Sequence, residues 1–209
     1  MKKEQLLLYA VTDRSWLNGS ALADAVKKAL SGGVTMLQLR EKNMTDDEFI
    51  KSALEIKNIC SEFNVPLIIN DNIRVALAVN ADGVHLGQTD TPLREARQLL
   101  GNDKIIGITA KTPMQAVEAE KNGADYIGSG AVFGTTTKSN AVKMELDTLR
   151  AITSSVKIPV AAIGGITADN VSKLQNTGIS GAAVVSGIFA QEDIESTAKL
   201  LYKKIKAIV

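Results

Sequence analysis

The 209-residue sequence contains a single cysteine and a single histidine. A lone Cys60 forms neither an internal disulfide nor a thiol-rich metal centre. Set in Ile59-Cys60-Ser61 within a helical pattern, it reads as a buried or semi-buried thiol rather than a nucleophile. The only histidine, His85, lies inside an apolar run and reads as a hydrogen-bonded interior group rather than a general base. There is no excess of one charge: 24 basic residues face 23 acidic ones. Without a basic stripe, nucleic acid is not an expected partner. Long apolar runs are missing too, so no segment reaches the roughly 18 residues needed to span a bilayer. Nor does the amino terminus, Met1-Lys-Lys-Glu-Gln-Leu-Leu-Leu-Tyr9, carry a secretory signal pattern. A soluble cytoplasmic protein acting on small molecules is the expectation. The oligomeric state is left open, a homo-oligomer included.

What the sequence does have is a repeating physical pattern. Short, β-branched, wholly apolar runs alternate with longer amphipathic stretches about every 25 residues. Strands are expected at Leu7–Val11, Val34–Leu39, Pro66–Ile69, Gly83–Leu86, Ile105–Ile108, Tyr126–Gly128, Val160–Ile163 and Ala182–Val184. Runs that are apolar throughout fit strands buried on both faces. Helices are expected at Ala21–Leu30, Asp46–Phe63, Pro92–Leu100, Met114–Lys121, Glu145–Thr153, Ala168–Gln175 and Glu195–Ile208, with a short one at Ile73–Val79. Gly32-Gly33, Gly123 and Gly178 stand where helices give way to strands, the left-handed cap position. Eight strands alternating with eight helices point to an α/β fold, a single (β/α)8 TIM barrel over residues 1–209. Counting does not prove closure, so an open doubly wound sheet remains the alternative. No Gly-x-Gly-x-x-Gly follows the first strand, which removes the best sign of a dinucleotide site.

Polar residues gather just after the strands: Thr12-Asp13, Gln38 to Lys42, Asn70-Asp71, His85 to Asp90, Thr109, Ser129 to Asn140, Gly164-Gly165 and Ser186-Gly187. In a barrel these eight ends converge on one face, where active sites of the fold lie. Gln38 and Arg40 share a strand face, so if one looks into the mouth both do, and an unpaired guanidinium there calls for an anion. Asp71 and Asp90 each suit capping of the helices that begin at Asn72 and Pro92. Together, at neighbouring strand ends, they also suit Mg²⁺, which takes one or two carboxylates and completes its shell with water and phosphate. Asp13 reads as a structural hydrogen-bonding group. Lys138, after three threonines, reads equally as a phosphate contact and as a surface lysine. Gly164-Gly165 and Ser186-Gly187 follow strands seven and eight, where barrels often bind phosphate through backbone N–H groups. Two anion sites result, one beside a metal and one built from backbone.

The motifs Tyr9-Ala-Val-Thr-Asp13, Gln38-Leu-Arg-Glu-Lys42, Ile69-Asn-Asp71, Asp82-Gly-Val-His-Leu-Gly-Gln-Thr-Asp90, Thr135-Thr-Thr-Lys138 and Ala162-Ile-Gly-Gly-Ile166 run in order along the chain. By them the sequence resembles the thiamine phosphate synthase family. The resemblance implies a barrel enzyme that couples a hydroxymethylpyrimidine diphosphate to a thiazole phosphate, or its carboxylated form, and releases pyrophosphate. It implies that Gln38, Leu39, Arg40, Glu41, Lys42, Asn70, Thr109 and Lys138 bind the pyrimidine diphosphate. Of these, Arg40, Lys42, Lys138 and Thr109 would act in catalysis. Asp71 and Asp90 would hold Mg²⁺. Thr135, Thr136, Thr137, Gly165, Val185 and Ser186 would hold the thiazole phosphate.

The sequence departs from the family pattern after strand five, where Thr109-Ala110-Lys111 replaces Ser followed by Ala-His. In the strand-six loop, Ala131 and Gly134 stand where prolines are common. A related thiazole tautomerase and a noncatalytic phosphate-ligand sensor on the same barrel are the alternatives. Retention of Arg40, Lys42, Asp71, Asp90 and Lys138 speaks against the tautomerase.

Overall fold

The computed structural model describes residues 1–17, 19–134 and 143–209. Eight parallel strands close into a barrel in chain order, β1 pairing with β8. They are β1 (Leu8–Val11), β2 (Met36–Leu39), β3 (Leu67–Asn70), β4 (Gly83–Leu86), β5 (Ile105–Thr109), β6 (Tyr126–Gly130), β7 (Val160–Ile163) and β8 (Gly181–Val184). Closure settles the choice between a barrel and an open sheet. Around the ring lie α1 (Leu22–Ser31), α2 (Asp46–Glu62), α3 (Ile73–Ala78), α4 (Leu93–Leu100), α5 (Pro113–Lys121), α6 (Leu146–Ser155), α7 (Ser186–Phe189) and α8 (Ile194–Lys206). None of the described helices is long and apolar enough to cross a membrane.

Local chemistry accounts for the boundaries. Thr45 and Glu48 form a reciprocal capping box at the start of α2, satisfying backbone donors that the first turn leaves bare. Gly33, Gly123 and Gly178 adopt positive φ between helix and strand, as the sequence suggests, whereas Gly32 stays right-handed. One expected helix is largely missing. In place of a helix over Ala168–Gln175 there is a single 3-10 turn, Val171–Leu174. The Asn170 side chain accepts from the Thr167 N–H (2.9 Å) and donates to the Gly165 carbonyl (2.8 Å). These local bonds compete with the helical ladder. A short helix that the periodicity does not reveal, α7, follows β8 directly.

Alternation along each strand divides the core in two. Leu37, Leu39, Leu67, Ile69, Val84 and Ile106 pack outward against the helices. Inside the ring Tyr9, Val11, Met36, Ile68, Tyr126, Ala161 and Ala183 form a separate cluster. Two aromatic rings fit within because neighbouring strands supply glycine. A Cβ on Gly107 would lie 2.0 Å from Tyr126 Cζ, and one on Gly128 would lie 2.9 Å from His85 Cε1. Cys60, as expected, is buried in the outer layer. Burial, aided by nearby Asp82, pushes its thiol up to about 12, which leaves it inert at neutral pH.

Gly107→Ala is expected to lower stability by about 1–3 kcal/mol through overpacking against a ring with no room to retreat. A urea midpoint equal to that of the parent would show that Tyr126 can move aside.

Candidate active site

The carboxyl ends of the strands form one rim, and β1 and β2 are tied there first. The Thr12 N–H donates to the Gln38 carbonyl (3.0 Å), and the Arg40 N–H donates to Thr12 Oγ1 (3.0 Å). Two ion pairs then cross between the strand ends. Arg40 Nη1 meets Asp13 Oδ2 at 2.9 Å, both side chains largely buried. Arg14 Nε meets Glu41 at 2.9 and 3.0 Å. Burial lifts the Glu41 carboxyl above its ordinary value while the Arg14 guanidinium pulls it back. With its carboxylate engaged in this way, Glu41 offers an anionic ligand only its backbone. Leu39 likewise turns its side chain into the outer core.

Asp13 thus has a definite partner. Its carboxylate orients Arg40 and also accepts from the Ser15 N–H (3.0 Å). Arg40 Nε is nevertheless buried, with no hydrogen-bond partner among the described residues. A buried guanidinium donor left unsatisfied is costly, and a ligand oxygen would satisfy it.

At the next two strand ends the carboxylates of Asp71 and Asp90 face one another, and Lys42 Nζ lies 2.9 Å from Asp71 Oδ2. Neither aspartate caps the helix after it. Asn72 caps α3 by accepting from the Val75 N–H (2.9 Å), and Pro92 occupies the cap of α4. Asp90 Oδ2 instead accepts from the Gly87 N–H at 2.6 Å. Asp71 has φ +61°, a left-handed conformation unusual for a residue with a side chain, closed by a bond from the Asn72 N–H to the Asn70 carbonyl (2.7 Å). With the backbone in this conformation at a strand end, the carboxylate meets Lys42 Nζ and faces Asp90.

The two carboxyls diverge electrostatically. Burial raises Asp71, but hydrogen bonds from Lys42 and its other neighbours outweigh it and hold the group below its ordinary value. Burial and the charge of Asp71 push Asp90 above its own, against the pull of the Gly87 N–H. Opposed carboxylates of this type suit a divalent cation, which removes their repulsion. Among the described residues no cluster of three or more His, Cys, Asp or Glu forms a metal cage. Two carboxylates with open coordination fit Mg²⁺ better than a metal that requires a full protein shell.

Across the rim, Gly164 and Gly165 adopt φ +106° and +63° after β7. A Cβ on Gly165 would lie 2.6 Å from the Gly134 carbonyl oxygen, so the loop itself requires glycine there. Val185 and Ser186 lead into α7 beside it. Thr135, Thr136, Thr137 and Lys138 lie outside the described residues.

Gln38, Asn70 and Thr109 reach the same mouth from β2, β3 and beyond. Gln38 is buried, and its Nε2 donates to Tyr9 Oη at 2.5 Å. Tyr9 Oη lies 2.7 Å from Tyr126 Oη, Tyr126 Oη lies 3.0 Å from His85 Nδ1, and His85 Nε2 lies 2.9 Å from Thr109 Oγ1. The two tyrosines are what the sequence reading passed over. Both are aromatic residues at inward strand positions, and Tyr126 stands across from Gly107.

A parallel barrel whose rim joins paired cations, apposed carboxylates and a glycine-lined loop is an enzyme for phosphorylated substrates. The comparisons with known proteins identify which. A family model described as thiamine monophosphate synthase matches residues 8–188. The thiamine-phosphate synthase of Clostridium acetobutylicum is 48% identical over 206 residues, covering 99% of this chain and 98% of that one. That of Ruminiclostridium cellulolyticum is 50% identical over 194 residues, covering 93% and 92%. The solved thiamine phosphate pyrophosphorylase from Pyrococcus furiosus superimposes with a TM-score of 0.91 at 38% identity, over 99% of this chain and 98% of that chain. The chain belongs to the thiamine monophosphate synthase family.

The Asp71–Asp90 pair makes a testable statement about pH. Asp90, raised in the folded state, contributes stability that is present below its ordinary value of 3.8 and is lost as pH rises through the higher folded value. Asp71, lowered, contributes stability that is present above its ordinary value and is lost as pH falls through the folded one. Asp90→Asn is therefore expected to raise the thermal midpoint of chelator-treated protein at neutral pH, the gain fading below pH 4. Asp71→Asn should lower it at neutral pH. Equal shifts of one sign would show that the two carboxyls do not oppose each other.

Proposed function

We propose that this chain joins 4-amino-2-methyl-5-(diphosphooxymethyl)pyrimidine to 4-methyl-5-(2-phosphooxyethyl)thiazole, or to the carboxylated thiazole, giving thiamine phosphate and pyrophosphate. The observation that carries this reading is the rim itself. Arg40, oriented by Asp13 and with a buried donor left open, stands beside Lys42 and the Asp71–Asp90 pair. Such a set suits the two phosphates of a diphosphate ester.

The chemistry asks little acid–base work of the protein. The carbon–oxygen bond to pyrophosphate breaks with its electron pair leaving on oxygen, helped by donation from the pyrimidine's amino group. The thiazole nitrogen then gives its lone pair to the exposed methylene carbon. Arg40, Lys42 and Thr109 stabilise the charge that gathers on the leaving group, where preorganised donors count most. Lys138, on the family resemblance, adds a further cation. Gln38 and Asn70 orient the pyrimidine. Asp71 and Asp90 would hold Mg²⁺, which would supply positive charge to offset that of the leaving pyrophosphate. Thr135 to Thr137, Gly165, Val185 and Ser186 hold the thiazole phosphate, so that positioning replaces a bimolecular encounter. A tautomerase would have no use for the diphosphate set, and a sensor would bind without turnover.

Pyrophosphate release from the two substrates with Mg²⁺ is the primary test, and binding of both without product would leave a sensor. Asp71→Asn and Asp90→Asn should each raise the Mg²⁺ concentration needed for half-maximal rate. Lys138→Ala should cost on the order of 10² in kcat, about 3 kcal/mol, with diphosphate affinity nearly unchanged. An equal loss of affinity would make Lys138 a ground-state anchor. Ser186→Ala should raise KM for the thiazole phosphate alone. It is a cleaner probe than replacing Gly165, whose backbone admits no side chain.

A further inference from the structure

The polar chain inside the barrel spans the ring from β2 to β5, and three of its five members touch no proposed ligand. Tyr9 and Tyr126 are buried inside the ring, edge to face with centroids 5.7 Å apart, and the His85 ring lies 5.5 Å from that of Tyr126. Glycines at 107 and 128 leave space for Tyr126 and His85. We propose that Tyr9, Tyr126 and His85 are positioning residues that aim the hydroxyl proton of Thr109 into the mouth of the barrel, with the Gln38 amide setting the direction of the chain. The proposal rests on the reading above, in which Thr109 faces the diphosphate.

Direction follows from counting protons. An amide N–H donates and never accepts, so the 2.5 Å contact from Gln38 Nε2 makes Tyr9 Oη an acceptor there. Tyr9 then spends its one proton on Tyr126 Oη, and Tyr126 spends its own on His85 Nδ1. A nitrogen that accepts carries no proton, so the imidazole proton sits on Nε2 and is donated to Thr109 Oγ1. The proton of Thr109 is left for a partner beyond the chain. Burial keeps both phenols protonated, raising Tyr9 and Tyr126 above their ordinary value, so each has a proton to pass on. The β-branch of threonine further restricts the rotamer that presents the hydroxyl.

The opposite orientation has the opposite consequence. Were the Gln38 amide turned to set its oxygen against Tyr9, every bond would reverse. His85 would carry its proton on Nδ1, and Thr109 would donate to Nε2 and offer the mouth only lone pairs. A diphosphate needs donors, so the direction set by the Gln38 Nε2 contact is the one that serves the leaving group.

Because His85 is the sole histidine, ¹⁵N-histidine labelling of the ligand-free protein gives a single imidazole to read. At pH 7.5 its ring-nitrogen shifts should show a protonated Nε2 and a bare Nδ1. A proton on Nδ1, or on both nitrogens, overturns the direction. This measurement needs no turnover, so its failure is separable from failure of the synthase reading, which the parent enzyme's pyrophosphate release decides. Tyr126→Phe cuts the chain two hydrogen bonds away from Thr109. It should lower kcat roughly tenfold or more, the scale felt when the partner behind a functional group is lost, with diphosphate KM within about twofold. Thr109→Val should cost at least as much, and adding Tyr126→Phe to it should cost nothing further. Losses that multiply in the double variant would show that Tyr126 does not act through Thr109.

Discussion

Everything at the rim hangs on how the narrow interior of the barrel is filled. Eight short parallel strands enclose a space that most barrels fill with layers of branched aliphatic side chains. Here Val11, Met36 and Ile68 do part of that work, but a hydrogen-bonded run of tyrosine and histidine shares the interior with the alanines of β7 and β8. Such a run is stable only when each buried polar atom finds a partner. It has room only because Gly107 and Gly128 carry no side chain. Packing and polarity are therefore one constraint: the glycines admit the rings, and the rings place Gln38 and Thr109 at the mouth.

A second constraint is electrostatic and lies at the ends of β1 to β4. Four charged groups meet there as two crossed pairs, Asp13 with Arg40 and Glu41 with Arg14. The inner pair holds a guanidinium with one donor unspent, and the outer pair braces it against α2, where Arg14 Nη2 also donates to Ser52 (3.2 Å). Beside them Asp71 and Asp90 hold like charges close together, a disfavoured arrangement in the free protein that a cation and a polyphosphate would relieve. On the proposed reading the site stores unfavourable interactions that its ligands would resolve, as expected where binding energy is directed to charge developing in the reaction.

How far the sequence can be read differs from residue to residue. The strands were legible because burial on both faces makes them apolar throughout, and the motif residues were legible because they follow those strands. Asp71 and Asp90 were ambiguous, since an aspartate after a strand suits a cap as well as a metal. Asn72 and Pro92 hold the cap positions, which only the folded structure reveals. The helix over Ala168–Gln175 failed for a local reason, the Asn170 side chain outcompeting the ladder. The role of Asp13 is not legible in the sequence because its partner lies 27 residues away, just past the end of the next strand.

The linear chain by itself determined the alternation of strand and helix, the parallel sheet, the convergence of polar residues on one rim and the family. Each of these rests on periodicity or on contiguous motifs, which are properties of neighbours in sequence. Closure of the ring, the pairing of Arg40 with Asp13, the facing of Asp71 and Asp90, and the thread from Gln38 through Tyr9, Tyr126 and His85 to Thr109 belong to the tertiary structure alone. They join residues on different strands, and which of two inward side chains meet depends on register, on tilt and on where a glycine leaves a gap. No single segment encodes those quantities; they arise when the eighth strand closes on the first.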